Sequence, residues 1–170
     1  MSARPTAARA LAKAAASPSV LDLLSRDHRE IERLFGRVAR AKTADSRAGA
    51  FRVLQDALTS HARLEEAIVY PALRTTSVPA LLVAASRAYA EHRETRILLA
   101  ELAGIAPSSG RFASKLAALE DMVRGHVREE EFEIFHLAKR ALGLPRLRVL
   151  GGRLESCRAP SDERVARWEA

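Results

Sequence analysis

Four of the five histidines in this 170-residue chain are evenly paced. His28, His61, His92 and His126 are separated by 33, 31 and 34 residues. The second and fourth carry a carboxylate four residues on, as His61-x-x-x-Glu65 and His126-x-x-x-Glu130. The second half of the pattern thus repeats the first at an offset of 64 or 65 residues, as two copies of one helical hairpin would. Imidazole and carboxylate without thiolate form a donor set suited to iron, manganese or zinc. Six donors are too many for one tetrahedral zinc and suit two ions. If Glu65 and Glu130 both bridge, His28 and His61 serve one ion and His92 and His126 the other. Each roughly octahedral ion then keeps about two positions open for an oxo or hydroxo bridge and a small ligand. On redox-active metals, open positions mean oxygen, peroxide or nitric oxide chemistry.

Such a site needs elements that bring distant donors to one level. The apolar residues Leu21, Leu24, Ile31, Phe35 and Val38 recur at spacings of three, four and seven, which predicts a helix over about 20–41 with His28 on its apolar stripe. Ser19 and Asp22 form a capping pair ahead of it. Residues 42–46 read as a turn. A second helix is expected over about 47–73, with His61 and Glu65 among Phe51, Leu54, Leu58 and Ile68, and Pro71 is expected to kink or stop it. Ser77 reads as the N-cap of a third helix that carries His92 and ends near Ala103, with Pro79 in its first turn. After a loop over 104–110, a fourth helix over about 111–142 carries His126 and Glu130 until Gly143 and Pro145 stop it. Four long helices with short connections predict an all-α, up-and-down antiparallel bundle, closed by a short fifth helix over about 145–154. In that topology the four histidines can share one level. Residues four apart on a helix lie about 40° apart around the axis, so both members of each His-x-x-x-Glu pair can face one region. A bare polar group on an apolar stripe costs several kcal/mol; a cation satisfies all six together.

Composition sets the remaining bounds. The length suits one domain, here residues 20–154, between a flexible basic tail over 1–19 and a C-terminal tail over 155–170 that Trp168 could pin down. The net charge of +7 raises the question of nucleic acid. Of 28 basic residues 24 are Arg, scattered and often beside acids, as in Arg29-Glu30 and Arg93-Glu94. No nucleic-acid recognition motif accompanies them, so a basic solvated surface is the preferred reading. Cys157 is alone, which fits a reducing, cytoplasmic setting, and its surroundings mark no nucleophile. No apolar run approaches the roughly 18 residues that span a bilayer.

The segments LLSRDHREIERLF, LTSHARLEEAIVYPAL, AYAEHRETRILLAEL and MVRGHVREEEFEIFHLAKRAL resemble the hemerythrin-like family of HHE cation-binding domains, over about residues 20–154. The resemblance implies an up-and-down four-helix bundle holding a non-haem di-iron centre, with His28, His61, Glu65, His92, His126 and Glu130 as ligands. It also exposes departures. Oxygen-carrying members have a further histidine one turn after the third, where this chain has Arg96; the five-histidine site of an oxygen carrier is therefore not reproduced. His136 stands where the first half has Pro71 and should point elsewhere. Glu66, Glu129 and Glu131 read as solvated or as orienting the imidazoles, and Tyr89 as a packing residue. The leading expectation is a protein that binds or senses oxygen, peroxide or nitric oxide at two irons. Two alternatives stay open: a redox enzyme that disproportionates peroxide, and a metal-dependent regulatory module whose basic tail contacts an acidic partner.

Overall fold

A computed structural model describes residues 17–158, which are almost wholly helical and include no strand. Most of both expected tails, with Trp168, lies outside the described residues. Helix α1 spans Val20–Arg40. Its start is fixed as the sequence predicts: Ser19 Oγ accepts from the Asp22 amide at 3.3 Å, and Asp22 Oδ2 accepts from the Ser19 amide at 3.1 Å. Helix α2 spans Ala44–Leu64 and begins earlier than expected. The supposed turn over 42–46 contains a second capping box, in which Thr43 Oγ1 accepts from the Ser46 amide at 3.1 Å and Ser46 Oγ from the Thr43 amide at 3.2 Å.

Pro71 does not stop this helix. A π-helical turn, Glu65–Val69, carries the chain into α3, Tyr70–Arg74, where Pro71 falls in the first turn. The Glu66 carbonyl, five residues before Pro71 and so left without that residue's amide, accepts from the Tyr89 hydroxyl at 3.1 Å instead. Helix α4 spans Pro79–Ala103. Its N-cap is Val78 rather than Ser77, with no side-chain cap; Pro79 at the start removes one of the orphan amides a cap would serve. Helix α5, Gly110–Glu129, is capped by Ser109. The predicted single helix over 111–142 is interrupted by a second π turn, Glu130–Ile134, before α6, Phe135–Arg158. Gly143 breaks α6 with φ 71°, a backbone conformation that glycine adopts without a Cβ clash. Helical structure then resumes and runs to Arg158, past the expected boundary at 154.

α1 packs along α2, α4 along α5, and α6 against α1, giving a helical bundle with two apolar clusters. One contains Leu21 and Leu24 of α1, Ile68, Tyr70 and Leu73 around α3, Leu81 and Ala85 of α4, and Leu147, Leu150 and Leu154 of α6. The other contains Phe35 and Val38 of α1, Phe51 and Leu54 of α2, Leu99 and Leu102 of α4, and Phe112 and Leu119 of α5. Along α1, α2 and α4 the repeated histidine falls between residues of the first cluster and residues of the second, and His126 falls between the second-cluster residues of α5 and Ile134 and Phe135 of the first, just beyond that helix. Gly151 lets α6 meet the start of α1: a Cβ there would collide with the Pro18 carbonyl oxygen and lie 3.0 Å from the Val20 nitrogen. Among the described residues no helix is long and apolar enough to cross a membrane.

Candidate metal centre

The six donors foreseen in the sequence meet in one layer between the two clusters. Glu65 and Glu130 are buried, as are His28, His61 and His92, and His126 is largely covered. Each imidazole turns Nε2 inward. His61 Nε2 lies 3.2 Å and His92 Nε2 3.3 Å from Glu65 Oε2. His28 Nε2 lies 3.4 Å and His126 Nε2 3.7 Å from Glu130 Oε2. His92 and His126 bring their Nε2 atoms within 3.3 Å of each other. Two sets of atoms are close enough to share a cation: His28, His61, Glu65 and Glu130 in one, and Glu65, His92 and His126 in the other.

Each Nδ1 faces outward to a different carboxylate. His28 Nδ1 pairs with Glu131 Oε1 at 2.8 Å, His92 Nδ1 with Glu66 Oε1 at 3.0 Å and His126 Nδ1 with Glu91 Oε2 at 2.7 Å. Asp27 Oδ2 stands 3.6 Å from His61 Nδ1, at ion-pair rather than hydrogen-bond distance. The three hydrogen-bonded carboxylates fix the orientation of their rings and turn Nε2 toward the centre, the arrangement typical of metal-binding histidines. The pattern obeys the repeat: Asp27 and Glu91 each precede a histidine and serve the next helix's ring, while Glu66 and Glu131 each stand directly after a glutamate and serve the ring of the other half.

The π turns set the wall of the layer. Residues five apart on an α-helix point about 140° away from each other. Each π turn starts at a glutamate and closes an amide bond five residues on, from Tyr70 to the Glu65 carbonyl and from Phe135 to the Glu130 carbonyl, so Glu65 and Tyr70 face the same way. The Tyr70 hydroxyl is shared between Glu65 Oε2 and Glu130 Oε1, 3.1 Å from each, and lies 3.4 Å from His92 Nε2. Its counterpart Phe135 has no hydroxyl and stacks on His28 with ring centres 6.0 Å apart.

Without a cation the layer is electrostatically strained. His28 Nε2, both His61 nitrogens, Glu65 Oε1 and Glu130 Oε2 are buried without a hydrogen-bond partner, and such atoms are rare unless an ion or water serves them. Burial drives the His61 pKa down to about 4 and also lowers that of His92, more than Glu66 can offset. Burial also disfavours charge on His28 and His126, but Glu130 and Glu131 around the first, and Glu91 and Glu130 around the second, hold both above the usual imidazole value. Burial and the neighbouring Glu130 charge push Glu65 well up. Burial acts the same way on Glu130, yet its bond to His28 and the charges of His126 and His28 win and bring it to about 2. Tyr70 is pushed up by burial and by both carboxylates and so stays protonated. The donor set and its orphaned atoms therefore fit a cation.

The other sequence readings separate cleanly. Glu66 and Glu131 do orient imidazoles, whereas Glu129 pairs with Arg87. Tyr89 donates to the Glu66 carbonyl at 3.1 Å and does not reach the donors. Arg96 bonds Glu66 at 2.9 Å. His136 and Cys157 are exposed. Sequence reasoning missed Asp27, Glu91 and Tyr70. The first two stand directly before His28 and His92, a signal visible in the repeat, but each serves a histidine on the following helix, which only the packing reveals.

Comparison with known proteins agrees with this layer. The model of the hemerythrin HHE cation binding domain matches residues 19–138. A protein of Nostoc sp. (strain PCC 7120 / SAG 25.82 / UTEX 2576) named DNA nickase is 28% identical over 117 residues, which covers 69% of this chain and 32% of the relative, so the match spans about a third of that protein. No solved structure matches. A family match that takes in all six converging donors, over most of the chain, makes this protein a member of the hemerythrin family of HHE cation-binding domains.

Proposed function

We propose that the layer holds two non-haem iron ions and binds or senses a small ligand there: oxygen, peroxide or nitric oxide. His28 and His61 serve one ion, His92 and His126 the other. Glu65, which belongs to both donor sets, would serve both ions, and Glu130, set between His28 and His126, would be the second shared carboxylate. The observation that carries this reading is the buried, unpartnered state of polar atoms on His28, His61, Glu65 and Glu130, four residues that converge on one point. Bound iron would supply one-electron chemistry toward a small oxidant. The ligand class rests on space: a cavity of about 20 Å³ beside His61, His92 and His126, walled by Ile31, Leu58 and Val123, holds about one water-sized molecule and no organic substrate. An antiparallel, up-and-down order of the four main helices, with a short fifth helix after Gly143, is supported by the two clusters, since the C-terminal half of α1 shares one with the N-terminal half of α2. The shared domain alone is carried over from the DNA nickase, not that longer protein's activity.

Metal analysis of the purified chain tests the proposal. Two irons per chain and the visible absorption of a diferric pair are expected, and His61→Ala should retain at most one. A chain that saturates with zinc and refuses iron would end the iron reading.

Peroxide disproportionation at the same centre is the second reading, favoured by Tyr70. Its protonated hydroxyl touches both proposed bridging carboxylates and can hold or return a proton there. Oxygen evolution on adding peroxide, slowed in Tyr70→Phe with iron content unchanged, would select this reading over sensing.

A further inference from the structure

The two-fold repeat of the centre is broken by arginines outside the ligands. Three of the four outer carboxylates have an arginine within 4 Å on the surface side. Arg96 Nη1 bonds the same Glu66 oxygen that faces His92, at 2.9 Å. Arg158 grips the Asp27 oxygen that faces His61. Arg87 stands 3.7 Å from Glu91, the partner of His126. Glu131 is different: among the described residues it pairs with His28 alone. The repeat makes the difference explicit, because the place equivalent to Arg96 in the first half is Glu32, a carboxylate instead of a guanidinium.

A carboxylate that accepts from an imidazole makes that ring a stronger donor to a cation. A guanidinium on the same oxygen competes for its charge and weakens the effect. In the first donor set Glu131 has no arginine beside it among the described residues; in the second each carboxylate has one, Arg96 on the shared oxygen of Glu66 and Arg87 near the other oxygen of Glu91. Glu130 also lies nearer the first set, 3.4 Å from His28 Nε2 against 3.7 Å from His126 Nε2.

Building on the two-ion reading, we propose that the outer arginines make the two positions unequal. The set His28, His61, Glu65 and Glu130 takes the first ion, and the set Glu65, His92 and His126 takes the second, more weakly. Arg96 is a positioning residue that acts on His92 through Glu66.

Anaerobic calorimetric titration of the metal-free full-length chain with Fe(II) tests this. The unaltered protein loads two ions in two resolved steps. Glu131→Gln weakens the first step by about 10–100-fold, the usual effect of removing an outer partner of a ligand. Arg96→Gln tightens the second step severalfold and leaves the first in place; in a Glu66→Gln background the same change does nothing. Two ions with indistinguishable affinities would overturn the inequality. An Arg96→Gln effect that moves both steps together, or survives the loss of Glu66, would overturn the route through Glu66. Binding of fewer than two ions would instead remove the two-ion reading itself.

Discussion

An imidazole serves a cation through one nitrogen while the other carries the proton, and here each Nδ1 is turned to a carboxylate. Those carboxylates also set the proton balance. His28 and His126 are held above the usual imidazole value of 6.5 by the carboxylates around them, against the effect of burial; Glu65 is raised by burial and by Glu130. A raised pKa means the proton competes at higher pH, so these three must lose protons to admit a cation. His61 at about 4 and Glu130 at about 2 are already deprotonated. Iron affinity, measured by chelator competition, should therefore begin to fall above pH 6.5 as the solution is acidified, by roughly a decade per pH unit for each proton displaced. An affinity flat from pH 8 to 6.5 would contradict the assignment. The six donors were legible because type, spacing and repeat all coincide at those positions. Asp27 and Glu91 were not, since each acts on a residue of another helix and nothing in the order of residues fixes which one; Tyr70 was not, since only the π turn brings it to the same side as Glu65.

At the level of elements, the two π turns decide what faces the centre. Apolar periodicity placed four helices near their true extents but treated the second and fourth as regular. A period of 3.6 cannot reveal one inserted residue whose effect is to rotate the remainder of the helix, and Pro71 looked like a terminator for the same reason. The rotation directs Tyr70 inward while the equivalent residue, Phe135, contributes only its ring. Tyr70→Phe keeps the packing and removes a donor from two buried carboxylates. Leaving a buried acceptor unsatisfied costs about 1–3 kcal/mol, so urea unfolding of the metal-free chain should show a loss of that size. With iron bound, the cation serves the carboxylates and the loss should shrink. Equal losses in both forms would mean the hydroxyl matters for something other than those oxygens.

Over the whole molecule, the bundle was predicted from helix number and turn length and a fifth helix was expected to close it, whereas the close approach of α6 to the start of α1 was not foreseen. It depends on Gly151, which in the sequence is indistinguishable from Gly152. A methyl group at Gly151 would strike the backbone of Pro18–Val20, while one at Gly152 meets nothing within 4 Å. Gly151→Ala should lower stability by about 1–3 kcal/mol, the cost of overpacking; Gly152→Ala should be neutral or stabilising by up to about 1 kcal/mol, since glycine is the poorer helix former. Thermal unfolding of the pair separates the two. The placement of the donors between two independently closed apolar clusters has a mechanical consequence. Each end of the bundle has its own apolar packing, and the seam between them is where carboxylates crowd and polar atoms go unanswered. A cation held there would act as a rivet: it would join two halves that are each already packed, so losing it would loosen the waist first and the ends last.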